Sequence, residues 1–169
     1  MEEALQDDLI TELGYLCLGS RFRRLGEQLQ AGVAELARHE GLAVQTAQFP
    51  LLAALAEGPL TVGALARRLD LSQPGVTRNL GKLVREGLVE AGESTGDQRQ
   101  RAFRLSARGR VLLDRAEQRV FPVVEETVAA LCAGPASDLP GHLARLDKAL
   151  AETPFGQRLL ARRSRTPGA

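Results

Sequence analysis

The chain has 169 residues, 44% of them hydrophobic and 25% charged, a balance that fits one soluble globular domain and excludes a large disordered chain. No run approaches the roughly 20 apolar residues of a membrane helix, and the acidic start Met1-Glu2-Glu3-Ala4 lacks the basic and apolar regions of a signal peptide, which predicts a cytoplasmic protein with no membrane partner. The net charge of +1 is unevenly spread: residues 1–59 carry 4 Lys+Arg against 9 Asp+Glu, residues 60–115 carry 11 against 6, and residues 116–169 carry 7 against 6, so one basic functional surface on a larger scaffold is expected.

Leu9, Leu13, Leu16, Leu25, Leu29, Val33 and Leu36 recur at three- and four-residue spacings and predict one long helix from Asp7 to His39, ended by Gly41. It is longer than a small domain needs, and its apolar stripe suits packing on another chain. A second helix is predicted over 46–57, with Thr46 as its cap and Pro50 tolerated in its first turn; Gly58-Pro59 stops it.

Thr61 then caps a short helix whose Val62, Leu65, Ala66 and Leu69 form one buried face. Asp70-Leu71 is a tight joint. Ser72 caps the next helix, Pro74 sits in its first turn, and Gly87 ends it. Two short helices joined by about three residues read as a helix-turn-helix. At 100° per residue, Val76, Leu80, Leu83, Val84 and Gly87 share the inner side of the second helix. Arg78, Lys82 and Arg85 share the outer side, near the small residues Gly75 and Gly81. Such a face fits a major groove, where Arg pairs with guanine and Gln with adenine. The plainer reading is a solvated basic face.

After Gly87 the period becomes that of strands. Leu88-Val89 leads out, residues 92–97 form a turn-rich tip, and Ala102-Phe103-Arg104-Leu105 returns. A hairpin in this place is a wing. Asp97 either pairs locally with Arg99 or aims a tip arginine, Arg99 or Arg101, into a narrow minor groove. With Arg67, Arg68 and Arg104, three neighbouring elements contribute positive charge. Ser106 caps a helix that Pro122 bends. A last long helix starts at Ser137 or Asp138 and is interrupted at Thr153-Pro154, and Phe155 to Leu160 adds a short turn. The architecture expected is mainly α with a small β-hairpin.

In order along the chain, Leu60-Thr61-Val62-Gly63-Ala64-Leu65-Ala66-Arg67-Arg68-Leu69, Ser72-Gln73-Pro74-Gly75-Val76-Thr77-Arg78, Leu83-Val84-Arg85-Glu86-Gly87-Leu88-Val89, Asp97-Gln98-Arg99 and Leu105-Ser106-Ala107-Arg108-Gly109-Arg110 resemble the MarR family of winged helix-turn-helix transcription regulators. The resemblance covers residues 9–151. It implies a DNA-binding lobe over 46–106, with the helix-turn-helix at about 61–86 and the wing at about 88–105. It implies a helical dimerisation region from 7–40 and 107–160, and residues 162–169 are expected to be a flexible tail. It further implies a homodimer, probing double-stranded DNA at a pseudo-palindromic operator, typically as a repressor whose affinity a small phenolic or lipophilic ligand modulates. By position, Ser72, Gln73, Thr77, Arg78 and Lys82 would face the major groove, Arg99 would enter the minor groove, and Asp97 would be its partner. Two positions depart from the family pattern: Glu90-Ala91-Gly92 stands where an arginine is common, and Leu13 occupies the cysteine position of the organic-peroxide sensors.

The remaining inventory is poor in catalytic chemistry. Cys17 and Cys132 form no metal or disulfide motif, and His39 and His142 each lack an i+4 partner. No Gly-rich phosphate loop or catalytic triad order is present, so no enzyme, cofactor or metal is expected. The alternatives are a winged-helix protein-interaction module without sequence-specific DNA binding, and a cysteine-based redox-responsive regulator.

Overall fold

A computed structural model of the chain describes residues 8–92 and 101–164. The chain divides into two compact units, residues 1–124 and 125–169. The first holds helices α1 (Leu9–Glu12), α2 (Leu18–His39), α3 (Phe49–Ala56), α4 (Val62–Leu69), α5 (Gln73–Arg85) and α6 (Ala107–Arg119), with strands β1 (Leu60–Thr61), β2 (Val89–Ala91) and β3 (Ala102–Leu105). Helix α7 (Phe121–Leu131) crosses the boundary, and the second unit adds α8 (Leu139–Glu152) and α9 (Phe155–Arg163). Among the described residues no helix is long and apolar enough to cross a membrane.

The single long N-terminal helix is not formed. Residues Gly14–Cys17 make a 3-10 turn between α1 and α2, and Gly14 has φ +51, a left-handed conformation that an L side chain resists. The apolar spacing runs through this break and so conceals it. Helix α2 does end as expected, with Gly41 at φ +69, the Gly41 N–H on the Arg38 carbonyl and the Leu42 N–H on the Ala37 carbonyl. The second helix is also shorter than expected: Thr46–Gln48 is a 3-10 turn, and Gln45, not Thr46, caps it through a reciprocal pair with Gln48.

The first unit has a continuous core of Leu51, Leu52 and Leu55 from α3, Leu65 from α4, Val76, Leu80 and Leu83 from α5, and Leu88, Val89, Leu105 and Leu113 from the wing and α6. Ala37, Leu42, Phe49, Ala116 and Val120 form a second buried cluster, with Phe49 edge-on to Phe121 at 5.3 Å. Val84, expected inside, is 39% exposed. The wing is a three-stranded antiparallel sheet in the order β1-β3-β2, because Leu60 and Thr61 pair with Phe103 and Ala102. That third strand was not expected. It has two residues, too few to show a period.

In the second unit α8 and α9 have no buried residue. The Arg158 guanidinium caps the end of α8 through the Ala149 and Thr153 carbonyls. Helix α9 reaches Arg163, past both the short turn expected at 155–160 and the start of the expected flexible tail; residues 165–169 lie outside the described residues.

Candidate nucleic-acid interface

The interface begins with two caps. Thr61 Oγ1 accepts the Ala64 N–H at 3.2 Å, and Ser72 Oγ accepts the Gly75 N–H at 3.3 Å. A Cβ on Gly75 would lie 3.0 Å from Ser72 Oγ, so glycine keeps that cap uncrowded. Between the caps Asp70 takes φ +50 and closes α4, with the Leu71 N–H on the Ala66 carbonyl. Asp tolerates this conformation better than branched residues do. The result is a fixed angle between α4 and α5.

Helix α5 is held from one side. Val76, Leu80 and Leu83 are fully buried, while Ser72, Gln73, Pro74, Thr77, Arg78 and Arg85 are exposed. Gln73, Pro74, Thr77 and Arg78 together line one shallow surface hollow. Four of the five residues expected to face a major groove thus lie exposed along the start of α5. The fifth, Lys82, is half-buried, and its Nζ donates to Gln45 Oε1 at 3.1 Å.

The far end of α5 is locked to the wing and to α6. Gly87 has φ +68, with its N–H on the Val84 carbonyl and the Leu88 N–H on the Leu83 carbonyl. Ser106 Oγ donates to the Gly87 carbonyl at 2.7 Å and accepts the Gly109 N–H at 2.9 Å. A Cβ on Gly109 would sit 2.0 Å from the Leu88 carbonyl oxygen. Glycine is required there for the backbones to meet, a reason that spacing in the sequence could not supply.

Beside the start of α5 a groove of about 410 Å³ is lined by Thr61, Val62, Gly63, Arg67, Gln73, Arg101 and Phe103. It joins α4, α5 and the returning wing strand. Thr61, Gly63, Arg67 and Phe103 had no assigned role as groove residues in the sequence, since only the β1–β3 pairing brings Phe103 and Arg101 alongside them. Asp97 and Arg99 lie outside the described residues.

Not every cation of this region is available to a partner. Arg68 pairs with Glu57, which raises the guanidinium and lowers the carboxyl from their ordinary values through the hydrogen bond between them. Arg104 pairs across the ladder with Glu90 at 2.9 Å, so the departure at Glu90 consumes one wing arginine. Among the described residues, Arg67, Arg78, Arg85 and Arg101 make no salt bridge. These four leave the outer face positive.

The cysteines give no comparable site. Both are free and half-buried; Cys17 ends the 3-10 turn just before α2 and Cys132 follows α7. Among the described residues no group of three His, Cys, Asp or Glu side chains is placed to hold a metal ion. His39 lines a hollow on α2, and His142 Nδ1 lies 2.8 Å from the Asp138 carbonyl oxygen.

Three comparisons place this geometry among known proteins. A sequence model described as MarR family matches residues 40–100. The transcriptional regulator AdcR of Streptococcus pneumoniae is 37% identical over 65 residues, which cover 38% of this chain; the chain spans 44% of that relative's length. Among solved structures, a variant of MarR from E. coli complexed with operator DNA superposes with TM-score 0.68 at 22% identity, over 85% of this chain and 99% of that one. The M. tuberculosis regulator MosR in complex with DNA superposes with TM-score 0.65 at 26% identity, over 82% and 99%.

Proposed function

We propose that this chain is a MarR-family, sequence-specific DNA-binding transcription regulator that acts as a homodimer, in the usual case a repressor. The observation that carries the reading is α5 itself. Val76, Leu80 and Leu83 on its inner side are fully buried and both of its ends are locked, while its outer side presents Gln73, Thr77 and Arg78 beside Arg67 and Arg101. A rigid helix with an exposed polar and cationic face can enter a major groove as a unit. Ser72, Gln73, Thr77 and Arg78 read or position the groove, Arg101 and Arg99 serve the minor groove, and Asp97 orients Arg99.

Dimerisation is supported by the apolar side chains left exposed on α2, where Phe22, Leu25 and Leu29 repeat at three and four residues, and on α8, where Leu139, Leu143, Leu146 and Leu150 do the same. Two copies would set their recognition helices about 34 Å apart, one turn of duplex, on a pseudo-palindromic operator. A small phenolic or lipophilic ligand regulates such a dimer if it binds one separation of the helices better than another.

Fluorescence anisotropy on duplex DNA from upstream of the chain's own gene tests the proposal. Wild type should prefer this DNA to unrelated duplex and lose affinity steeply with salt. Arg78→Ala should cost about 1–3 kcal/mol and relax sequence preference, and Arg99→Ala should weaken binding. Equal binding to all sequences, unchanged by either substitution, overturns it.

A further inference from the structure

Lys82 stands one helical turn after Arg78, where a groove contact would be expected of it. Its ammonium is directed elsewhere. It donates to Gln45 Oε1 at 3.1 Å, a partner in the corner between α2 and α3. That corner is itself tied down. The Gln45 N–H donates to Gln48 Oε1 at 2.8 Å, and the Gln45 side chain accepts the Gln48 backbone N–H in return. Gln48 is fully buried. The adjacent Thr46 Oγ1 donates to the Gln30 carbonyl of α2 at 3.1 Å. A polar path therefore runs from α2 through Thr46 and Gln45 to the second half of α5, outside the apolar core.

We infer that Lys82 is a positioning residue: it ties the second half of the recognition helix to the α2–α3 corner, and it acts on DNA through the orientation of α5 instead of through a phosphate or a base. The inference rests on the DNA-binding reading above, but its physical core is a property of the free protein. A phosphate contact would neutralise one backbone charge and appear in the salt dependence of binding. A tether would not, and it would be reproduced by changing Gln45, which carries no charge.

The test compares Lys82→Met, Gln45→Ala, their double variant and Gln45→Glu. Amide hydrogen exchange is followed at residues 80–86 in the absence of DNA, and anisotropy on upstream duplex is followed across salt. Exchange at 80–86 should speed up several-fold in both single variants and no further in the double. Gln45→Glu keeps an acceptor for the ammonium and should hold exchange at the wild-type rate. On DNA, Gln45→Ala and Lys82→Met should each weaken binding by about threefold to tenfold, non-additively, while Gln45→Ala leaves the salt slope unchanged. Unaltered exchange in both single variants overturns the tether, whatever DNA binding shows. A salt slope reduced by about one in Lys82→Met, with Gln45→Ala binding as wild type, overturns it in favour of a phosphate contact. Altered exchange with no specific binding by wild type leaves the tether standing and removes the DNA-binding reading.

Discussion

The winged lobe and the helical arms solve the same problem in opposite ways. In the lobe, α3, α4, α5 and α6 bury their leucines on one another, and Leu51, Leu52, Leu65 and Leu83 have no exposed surface. In the arms the same residue type stays outside: α2 buries only Ala37, and α8 and α9 bury nothing. A helix with an unburied apolar stripe is stabilised by what covers it, since in proteins most helical stability comes from packing of the apolar face. The lobe therefore carries its own stability, and under the homodimer reading proposed above the exposed stripes of the arms are covered only on assembly. This contrast predicts two kinds of response to mutation.

The largest effect belongs to the lobe core. Leu80→Ala on the buried side of α5 should cost about 3 kcal/mol, through lost burial and a cavity. Urea unfolding should show the loss at every protein concentration. A loss that vanishes at high concentration would mean that the lobe is held by assembly too, and the contrast would break.

Next is Gly109→Ala. The added methyl points at the Leu88 carbonyl oxygen, 2.0 Å away, and backbone on both sides must move. About 2–3 kcal/mol of destabilisation is expected, the range of overpacked sites. The displacement should also misplace the end of α5, so DNA affinity should fall more than for Arg85→Ala. Stability and affinity equal to wild type would show that α6 and the wing separate easily.

Leu25→Asp tests the other side of the contrast. It places a charge in the exposed stripe of α2, where the described lobe core is not touched. Sedimentation should shift from dimer to monomer at micromolar concentration, and specific DNA affinity should fall with it. The loss of lobe stability in the resulting monomer should stay within about 0.5 kcal/mol, as for surface sites. A dimer that persists would move the interface off α2.

The same contrast governs what could be read from the sequence. Thr61, Ser72 and Ser106 were legible as caps, because a cap and its partner lie three residues apart. The buried sides of α4 and α5 were legible, because one period of apolar residues serves one core. The pairs Arg68–Glu57 and Arg104–Glu90 were not, because their members come from different elements, and two of the cations counted toward the region's positive charge are spent in them. Lys82 looked identical to Arg78 on a helical wheel; only the folded path of residues 42–48 brings Gln45 to it. The break at Gly14 was hidden for a related reason. Its cause is a backbone conformation, and apolar spacing reports side chains.

The smallest effect concerns the joint that this break creates. Asp8 caps α1, accepting from the Ile10 N–H at 3.1 Å and the Thr11 hydroxyl at 2.9 Å, and it pairs with Arg24 of α2 at 2.6 Å. The hydrogen bond from Arg24, helped by that from Thr11, lowers the Asp8 carboxyl from the ordinary 3.8 to about 2. A carboxyl lowered on folding contributes stability above its unfolded value and loses it as pH falls through the folded one. The joint between α1 and α2 should therefore be intact at pH 4 and above and should loosen between about pH 4 and 2, without unfolding the lobe. The pair is open to solvent, so salt should weaken it. Protection of the amides at residues 10–13, taken relative to their intrinsic exchange at each pH, should follow this course in wild type, whereas in Asp8→Asn it should be low and flat over the same range. Identical exchange in the two proteins would show that the Arg24 pair contributes nothing, and that α1 is held to α2 by its apolar side chains alone.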